Sequence, residues 1–170
     1  YSASAPGRLD VMGGISDYSG SLLLQMPIKQ TTKVSIQARV DSTIHIRSVT
    51  GKNKADEFLM DSKNLVGKDY TVISAQLKSI PGGDWAIYII GSIAILAKEK
   101  DMPLKGLNIE VASKVPVGKG VSSSAALEVA TMCVLGQLYQ LSFKKTELPL
   151  LAQKAENLVV GAPCGLMDQL

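Results

Sequence analysis

Apolar and polar residues alternate along several segments in the first two thirds of the chain. Segments 33–39 ("KVSIQAR"), 42–49 ("STIHIRSV") and 106–113 ("GLNIEVAS") place apolar side chains at every second position. A period of two is typical of strands with one buried face. The apolar run at 21–28 ("SLLLQMPI") predicts a further, buried strand. Residues 50–70 are polar and rich in Gly, Lys and Asp, which predicts a loop with a short edge element.

Helical spacing appears in three other segments. Between 85 and 96 apolar residues recur three or four positions apart, which predicts a helix whose start Asp84 can cap. Residues 121–138 form a helical segment that is apolar on most faces, and 145–160 carries Pro149 within its first turn, where proline is tolerated. Early strands followed by later helices predict an α+β layer architecture.

Composition narrows the class of protein. A length of 170 residues with 46% hydrophobic and 19% charged residues predicts one folded domain over 1–170. The net charge of +3 is small and dispersed, so we expect no nucleic-acid partner. The longest apolar run, 86–97, has 12 residues and is too short to span a bilayer, so we expect no membrane partner.

The two cysteines bear on the cellular compartment, and the chain ends bear on the completeness of the sequence. Cys133 and Cys164 fit no metal-binding spacing and offer no disulfide framework, which predicts a reduced, cytoplasmic location. The sequence begins at Tyr1 without an initiator methionine and stops just after "CGLMDQ". We therefore expect it to be an excerpt of a longer protein.

A glycine-serine loop precedes the second helical segment, in "PVGKGVSSSAALEVA" (116–130). Gly118 and Gly120 give backbone freedom, and the serines open a helix whose first amides lack internal partners, which favours an anion site. The serines could equally cap a buried helix. The Walker pattern fails because Lys119 precedes Gly120 and no serine follows at the required step, and Ser123 stands where the dinucleotide pattern needs its third glycine.

Charged residues sit among glycines near both ends of the chain. "APGRLDVMGGISDYSG" (5–20) holds Arg8 and Asp17 in a stretch that could otherwise be a turn-rich linker. "AENLVVGAPCGLMDQ" (155–169) places Glu156 on a predicted helix and Asp168 beyond a Gly-Ala-Pro-Cys-Gly turn. Each carboxylate alone is typical of a solvated surface, but short turns of this kind project side chains into clefts.

The three glycine-containing motifs and the stretch "DWAIYIIG" (84–91) follow one another along the chain as they do in the GHMP-family sugar kinases. The sequence therefore resembles the N-terminal part of that family, above all its galactokinase branch. The resemblance runs from Ser4 to Gln169. It implies ATP-dependent phosphoryl transfer to the anomeric hydroxyl of a monosaccharide. It also implies a ribosomal-protein-like α+β domain that binds ATP and sugar, facing a ferredoxin-like C-terminal domain that these 170 residues lack. It does not indicate the oligomeric state.

The resemblance implies two catalytic residues. Asp168 matches the aspartate that takes or orients the proton of the sugar's C1 hydroxyl. Arg8 matches the arginine that pairs with this aspartate and offsets charge on the transferring phosphoryl group.

It also implies an ATP and Mg²⁺ site. The residues that match the phosphate-binding loop are Gly118, Gly120, Ser122 and Ser123. Lys119 replaces the glycine or alanine usual there and either adds charge toward the phosphates or faces solvent. Ser124 and Glu156 match the magnesium ligands. Trp85 matches an aromatic residue near the adenine, or is simply a core tryptophan.

One departure bears on the sugar. Asp17 matches the residue that binds ring hydroxyls, and Gly165 matches a backbone contact to the sugar. Galactokinases typically read Gly-Glu-His-Thr-Asp-Tyr where this chain reads Gly-Gly-Ile-Ser-Asp-Tyr at 13–18. In that family the Glu-His pair contacts the C6 hydroxyl of galactose, whereas Gly14 and Ile15 offer no polar side chain.

L-arabinose in its pyranose form is D-galactose without the C5 hydroxymethyl group, so it needs no such contact. Segment 7–28 also resembles the corresponding part of the L-arabinokinases of this family. The sequence therefore predicts a sugar 1-kinase for L-arabinose. Two alternatives stay open: a galactokinase that reaches the C6 hydroxyl by other residues or water, and a non-catalytic sensor that binds sugar and ATP.

Overall fold

The computed structural model describes residues 1–19, 22–49 and 56–170, except for the side chains of Ile15 and Tyr18. These residues form a five-stranded sheet and four α-helices. The strands are β1 (Ser2–Met12), β2 (Leu24–Ala38), β3 (Thr43–Ser48), β4 (Asp56–Asp61) and β5 (Leu107–Ser113). The helices are α1 (Tyr70–Lys78), α2 (Gly83–Glu99), α3 (Ser123–Tyr139) and α4 (Glu147–Ala155). Short 3₁₀ turns lie at Gly14–Ser19, Ser62–Leu65 and Met167–Gln169, and a π-helical turn lies at Glu156–Val160.

The sheet has the strand order β1-β2-β5-β3-β4. All neighbouring strands are antiparallel except β3 and β5, which run parallel. On the buried face Val34 pairs with Val111 and Ile36 with Ile109, and all four side chains are buried. The alternation predicted for these strands is therefore confirmed, and so is the α+β architecture.

The core lies between this face of the sheet and the helices. α2 is buried on most of its circumference, and its isoleucines join those of the strands in one hydrophobic cluster. α3 packs against β1 and β2, which places its first residues beside the middle of β1. Among the described residues no helix is both long and apolar enough to cross a membrane, and both cysteines are free.

Several elements differ from the sequence-based expectation. β2 is one strand of 15 residues that includes parts of two predicted strands. Its first part was expected to be buried, and this is wrong: Leu24 and Met26 are more than half exposed, because this end of the sheet lies beyond the helices. Residues 2–12 form a strand because they pair with β2 from Ser2–Ser35 to Met12–Leu24, a long-range pairing that local composition does not reveal. α1 was not predicted either. The edge element expected within 50–70 is confirmed as β4, while residues 50–55 lie outside the described part of the chain.

Two helix starts also differ. α2 begins at Gly83 after Gly82, whose φ of 77° suits glycine, so Asp84 lies inside the first turn and the expected cap is wrong. α3 begins at Ser123, two residues later than predicted, because Ser122 adopts a left-handed conformation with φ 56°. Pro149 lies in the first turn of α4, as expected.

Candidate active site

Arg8 and Asp168 form an ion pair and line the same cavity. The Nε of Arg8 donates to Oδ1 of Asp168 at 3.0 Å, and Nη2 donates to the same oxygen. Their side chains are 15% and 24% exposed, so the pair is shielded but still reachable from solvent. The structure thus brings together the two residues that the sequence predicts as catalytic.

A bulge in β1 aims Arg8 at the glycine-serine loop. The register between β1 and β2 shifts between Pro6 and Arg8. A Cβ on Gly7 would lie 2.7 Å from the carbonyl oxygen of Val121, so only glycine lets the loop approach this closely. The backbone N–H of Arg8 donates to that carbonyl at 3.1 Å, and its Nη1 donates to the carbonyl of Gly120 at 3.3 Å.

The glycine-serine loop leads into α3 through three left-handed residues. Gly118, Gly120 and Ser122 have φ values of 70°, 68° and 56°. A Cβ on either glycine would meet no atom within 4 Å, so both face open space, and Lys119 between them is exposed. The hydroxyl of Ser122 is buried without a hydrogen-bonding partner in the described structure. An open loop at a helix N-terminus with a spare hydroxyl suits a phosphate group.

Glu156 is buried near the start of α3. It occupies the first position of the π-helical turn that continues α4 and is 6% exposed. Ser124 lies near enough to this carboxyl group to lower its pKa. Burial raises the pKa of Glu156 and the charge of Asp168 adds to the rise, while Ser124 and the hydrogen bond from Cys164 oppose it. The two predicted magnesium ligands are therefore neighbours in the structure.

Glu128 is a site residue that the sequence analysis missed. It lies on α3, four positions after Ser124, and is 0% exposed. Both of its carboxyl oxygens lack a hydrogen-bonding partner in the described part of the chain. Burial, and then the neighbouring Glu156, raise the pKa of Glu128 well above its usual value. A spacing of four places Ser124 and Glu128 on one helix face, and a lone glutamate in an otherwise apolar helix was the available signal.

These oxygen atoms fit a divalent cation that a nucleotide brings with it. No group of three or more His, Cys, Asp or Glu residues within the described ranges is arranged to hold a metal by itself. Mg²⁺ usually keeps several waters and takes only one or two protein oxygens together with phosphate oxygens. Ser124 and Glu156 supply two such oxygens, and a cation beside them would favour the charged form of the buried Glu156 carboxyl group.

Asp17 ties the N-terminal loop to the turn before Asp168. Its carboxylate accepts hydrogen bonds from the backbone N–H of Leu166 at 3.1 Å and of Met167 at 3.0 Å. A Cβ on Gly165 would lie 2.0 Å from Oδ2 of Asp17, so the turn needs glycine at this position. The structure therefore brings Asp17 and Gly165 together, and it assigns Asp17 a structural contact that the sequence did not predict.

Gly14 lies under a neighbouring carboxylate. Its backbone N–H donates to Oδ2 of Asp10 at 3.1 Å, and a Cβ at this position would lie 2.0 Å from that same oxygen. A side chain at position 14 would therefore require the exposed carboxylate of Asp10 to move. Ile15 follows in the 3₁₀ turn, but its side chain lies outside the described part of the structure.

Trp85 lines a pocket on the other side of the α3 N-terminus. The pocket has a volume of about 280 Å³. Trp85 and Tyr88 form one wall, while Ser123 and Ser124 lie at another. Trp85 is half-buried and packs against the core, while its place beside an adenine stays a prediction. Arg8 and Asp168 line a separate cavity of about 160 Å³, and the start of α3 contributes to both.

Known proteins are similar to this chain in sequence. The family described as GHMP kinases N terminal domain matches residues 88–170. L-arabinokinase of Arabidopsis thaliana is 38% identical over the whole of this chain, which spans 19% of that protein.

Solved structures show the same fold. Galactokinase of Lactococcus lactis, solved with galactose, superimposes with a TM-score of 0.79 at 28% identity, over 99% of this chain and 40% of that one. Mevalonate kinase of Methanococcus jannaschii also reaches 0.79, at 16% identity, over 99% of this chain and 49% of that one. The chain thus spans half or less of each of these relatives.

Proposed function

Because the chain belongs to the GHMP kinases through their N-terminal domain, we propose that its protein transfers the γ-phosphoryl group of ATP to the anomeric hydroxyl of a sugar. The observation that carries this proposal is the position of Arg8. Its guanidinium donates both to Asp168 and to the carbonyl of Gly120 in the glycine-serine loop. One side chain therefore connects the group that would accept a proton with the loop that would hold phosphates.

Asp168 acts on the sugar. With its carboxylate held by Arg8, one oxygen is fixed and the other is left to accept or orient the proton of the C1 hydroxyl. As the bond from the C1 oxygen to the γ-phosphorus forms, the bond from that phosphorus to the β,γ-bridging oxygen breaks and ADP leaves. Arg8 lies beside the charge that spreads over the transferring group and stabilises it.

The start of α3 acts on the nucleotide. The free amides after Ser122, the open backbone of Gly118 and Gly120, and the spare Ser122 hydroxyl would bind phosphate oxygens. The exposed ammonium of Lys119 would add attraction from the solvent side. Ser124 and Glu156 would hold Mg²⁺, which would neutralise negative charge on the phosphates. The pocket walled by Trp85 and Tyr88 would take the adenine.

We further propose L-arabinose as the sugar. Support comes from the 38% identity to an L-arabinokinase and from Gly14, which cannot present a side chain toward a C6 hydroxyl. Leaving that hydroxyl of galactose buried and unpaired would cost about 1–3 kcal/mol, or about 5- to 150-fold in binding. The 28% identity to a galactokinase keeps galactose as the second candidate.

A coupled ADP-release assay on the full-length protein tests both the sugar-kinase activity and the preference for L-arabinose. L-arabinose, D-galactose and 6-deoxy-D-galactose are compared by kcat/KM. Arabinose should be preferred to galactose by about 5-fold or more. Equal or better turnover of galactose overturns the arabinose proposal, and no turnover of any of the three sugars overturns the sugar-kinase proposal.

The deoxy sugar separates two causes of the preference. It lacks the C6 hydroxyl but keeps the C6 carbon. Turnover close to that of arabinose assigns the preference to the unpaired hydroxyl, whereas turnover close to that of galactose assigns it to a lack of space.

A further inference from the structure

Gln169 is the buried neighbour of Asp168. Both lie in the 3₁₀ turn Met167–Gln169, and Gln169 is 3% exposed. Its Nε2 donates to Oε2 of Glu156 at 2.8 Å, across 13 residues of chain. This hydrogen bond joins two buried residues, whereas the hydrogen bond from Cys164 to Glu156 is only partly buried.

The surroundings of Gln169 explain why an amide suits this position. Its Nε2 contacts the buried Glu156 carboxylate, and Glu128 is a second buried carboxyl group close enough to Glu156 for their charges to repel. An amide donates to a carboxylate without adding charge. A lysine would cancel the charge that Glu156 offers to a cation, and another carboxylate would add to the repulsion. The Oε1 of Gln169 has no partner in the described structure, so the contact to Glu156 rests on the donor end alone.

We propose that Gln169 is a positioning residue that fixes the Glu156 carboxylate for the cation and couples it to Asp168. The inference rests on the proposed kinase function. Hydrogen-bonding partners behind a metal ligand set its orientation, and their removal typically costs 10- to 100-fold in metal affinity or activity. Because Gln169 follows Asp168 directly in the chain, the contact that holds Glu156 also fixes the turn that presents Asp168.

The test compares Gln169→Met with Gln153→Met in the full-length protein. Methionine is similar in length to glutamine but cannot donate a hydrogen bond. Gln153 is the matched control, because its side-chain Nε2 donates at 3.2 Å to the carbonyl of Cys164 in the same region and not to the Glu156 carboxylate. Binding of Mn²⁺ in the presence of a non-hydrolysable ATP analogue is measured by electron paramagnetic resonance. The KM for sugar and the melting temperature are measured in parallel.

Gln169→Met should weaken Mn²⁺ binding about tenfold or more and lower kcat, with the KM for sugar changed less than about twofold. Gln153→Met should leave Mn²⁺ binding close to wild type. If the Met variant does not fold, Gln169→Asn replaces it, because it keeps a buried amide and withdraws it from Glu156 by one methylene. The same loss is expected.

Two outcomes overturn the inference and are distinguishable from failure of the kinase proposal. One is an active wild type whose Gln169 variants bind Mn²⁺ as the wild type does. The other is a parallel loss of Mn²⁺ affinity, sugar KM and melting temperature, which indicates a purely structural residue. A wild type that neither turns over sugar nor binds nucleotide with Mn²⁺ fails the proposed function instead.

Discussion

The Nε of Arg8 donates to Oδ1 of Asp168 at 3.0 Å, although 160 residues of chain separate them. The contact joins the first strand to the last turn of the described structure. Arg8 also hydrogen-bonds to Val121 and Gly120, so the strand, the glycine-serine loop and the turn are fixed relative to each other by one residue.

Replacing Asp168 with asparagine should abolish most turnover but preserve sugar binding. Asparagine keeps the shape and a hydrogen-bond acceptor but cannot take up a proton. We expect kcat to fall about 10²- to 10⁴-fold, measured by ADP release, with the sugar Kd from calorimetry changed little. Asp41→Asn is the matched control, because Asp41 also pairs with an arginine, Arg39, in an exposed position. A kcat that stays near wild type in Asp168→Asn would contradict the assigned role.

Gly165→Ala should impair both sugar binding and the fold of the turn. The new Cβ would collide with Asp17 and displace it from the backbone amides of Leu166 and Met167. We expect the KM for sugar to rise at least about tenfold and the free energy of unfolding to fall by about 1–3 kcal/mol in urea titrations.

Gly67→Ala is the control for this substitution. Gly67 has a φ of 66° and no atom within 4 Å of a new Cβ. It therefore reports the cost of backbone strain without a collision, about 1 kcal/mol, and should leave the KM unchanged. Equal effects of the two substitutions on KM would argue against a sugar site at Gly165.

ATP should change the fluorescence of the protein. Trp85 is the single tryptophan of the sequence, and it walls the pocket next to Ser123 and Ser124. Adenine stacked in this pocket would exclude water from the indole and shift or quench its emission. The titration uses ATP with Mg²⁺, and Trp85→Phe should lose the signal while retaining ATP binding by calorimetry. Calorimetric binding of ATP without any change in Trp85 emission would place the adenine elsewhere.

Glu99 should stabilise the fold at neutral pH and lose this effect in acid. Its Oε1 accepts from Nζ of Lys154 at 2.6 Å and from the hydroxyl of Tyr70 at 3.0 Å, which joins α2 to α4 and α1. The hydrogen bond from Lys154, followed by that from Tyr70, holds the pKa of Glu99 below its usual 4.5. A carboxyl whose pKa is lowered by folding stabilises the fold above its unfolded pKa and ceases to do so as it becomes protonated.

Glu99→Gln should therefore lower the free energy of unfolding at pH 7 by less than about 1 kcal/mol, since the pair is partly exposed. The difference from wild type should shrink as the pH falls below 4.5. Urea titrations at neutral and acidic pH measure it. Glu110→Gln is the control, because Glu110 is exposed and lies 3.9 Å from Arg47, too far for a hydrogen bond. If the stability difference between wild type and Glu99→Gln grew in acid, the stabilising role of the charged Glu99 would be contradicted.

The strands of the sheet that have one buried face were predictable, because their alternation records burial directly. The pairing of residues 2–12 with β2 was not, since Pro6 and Gly7 interrupt the segment and hydrogen bonds to distant residues decide its structure. α1 is short, and most of its stability comes from packing against α2.

The site divides in the same way. The motifs indicate Arg8, Asp168 and the glycine-serine loop, but sequence separation fixes no distance between them. Glu128 and Gln169 were missed because their importance follows from burial, which depends on how α3 and the last turn pack together. The contacts of the Asp17 carboxylate to two backbone amides likewise depend on how the N-terminal loop packs against the last turn, which the sequence does not indicate.

The contact between Asp10 and Gly14 limits how this loop can change during evolution. A side chain at position 14 would collide with the Asp10 carboxylate at 2.0 Å from its Cβ, so it can be accepted only after Asp10 is replaced or turned away. The two positions are therefore coupled, and the cost of a polar side chain at position 14 depends on how readily the Asp10 carboxylate moves. A change of sugar by this route would be easier in a background where Asp10 has already been replaced by a smaller residue.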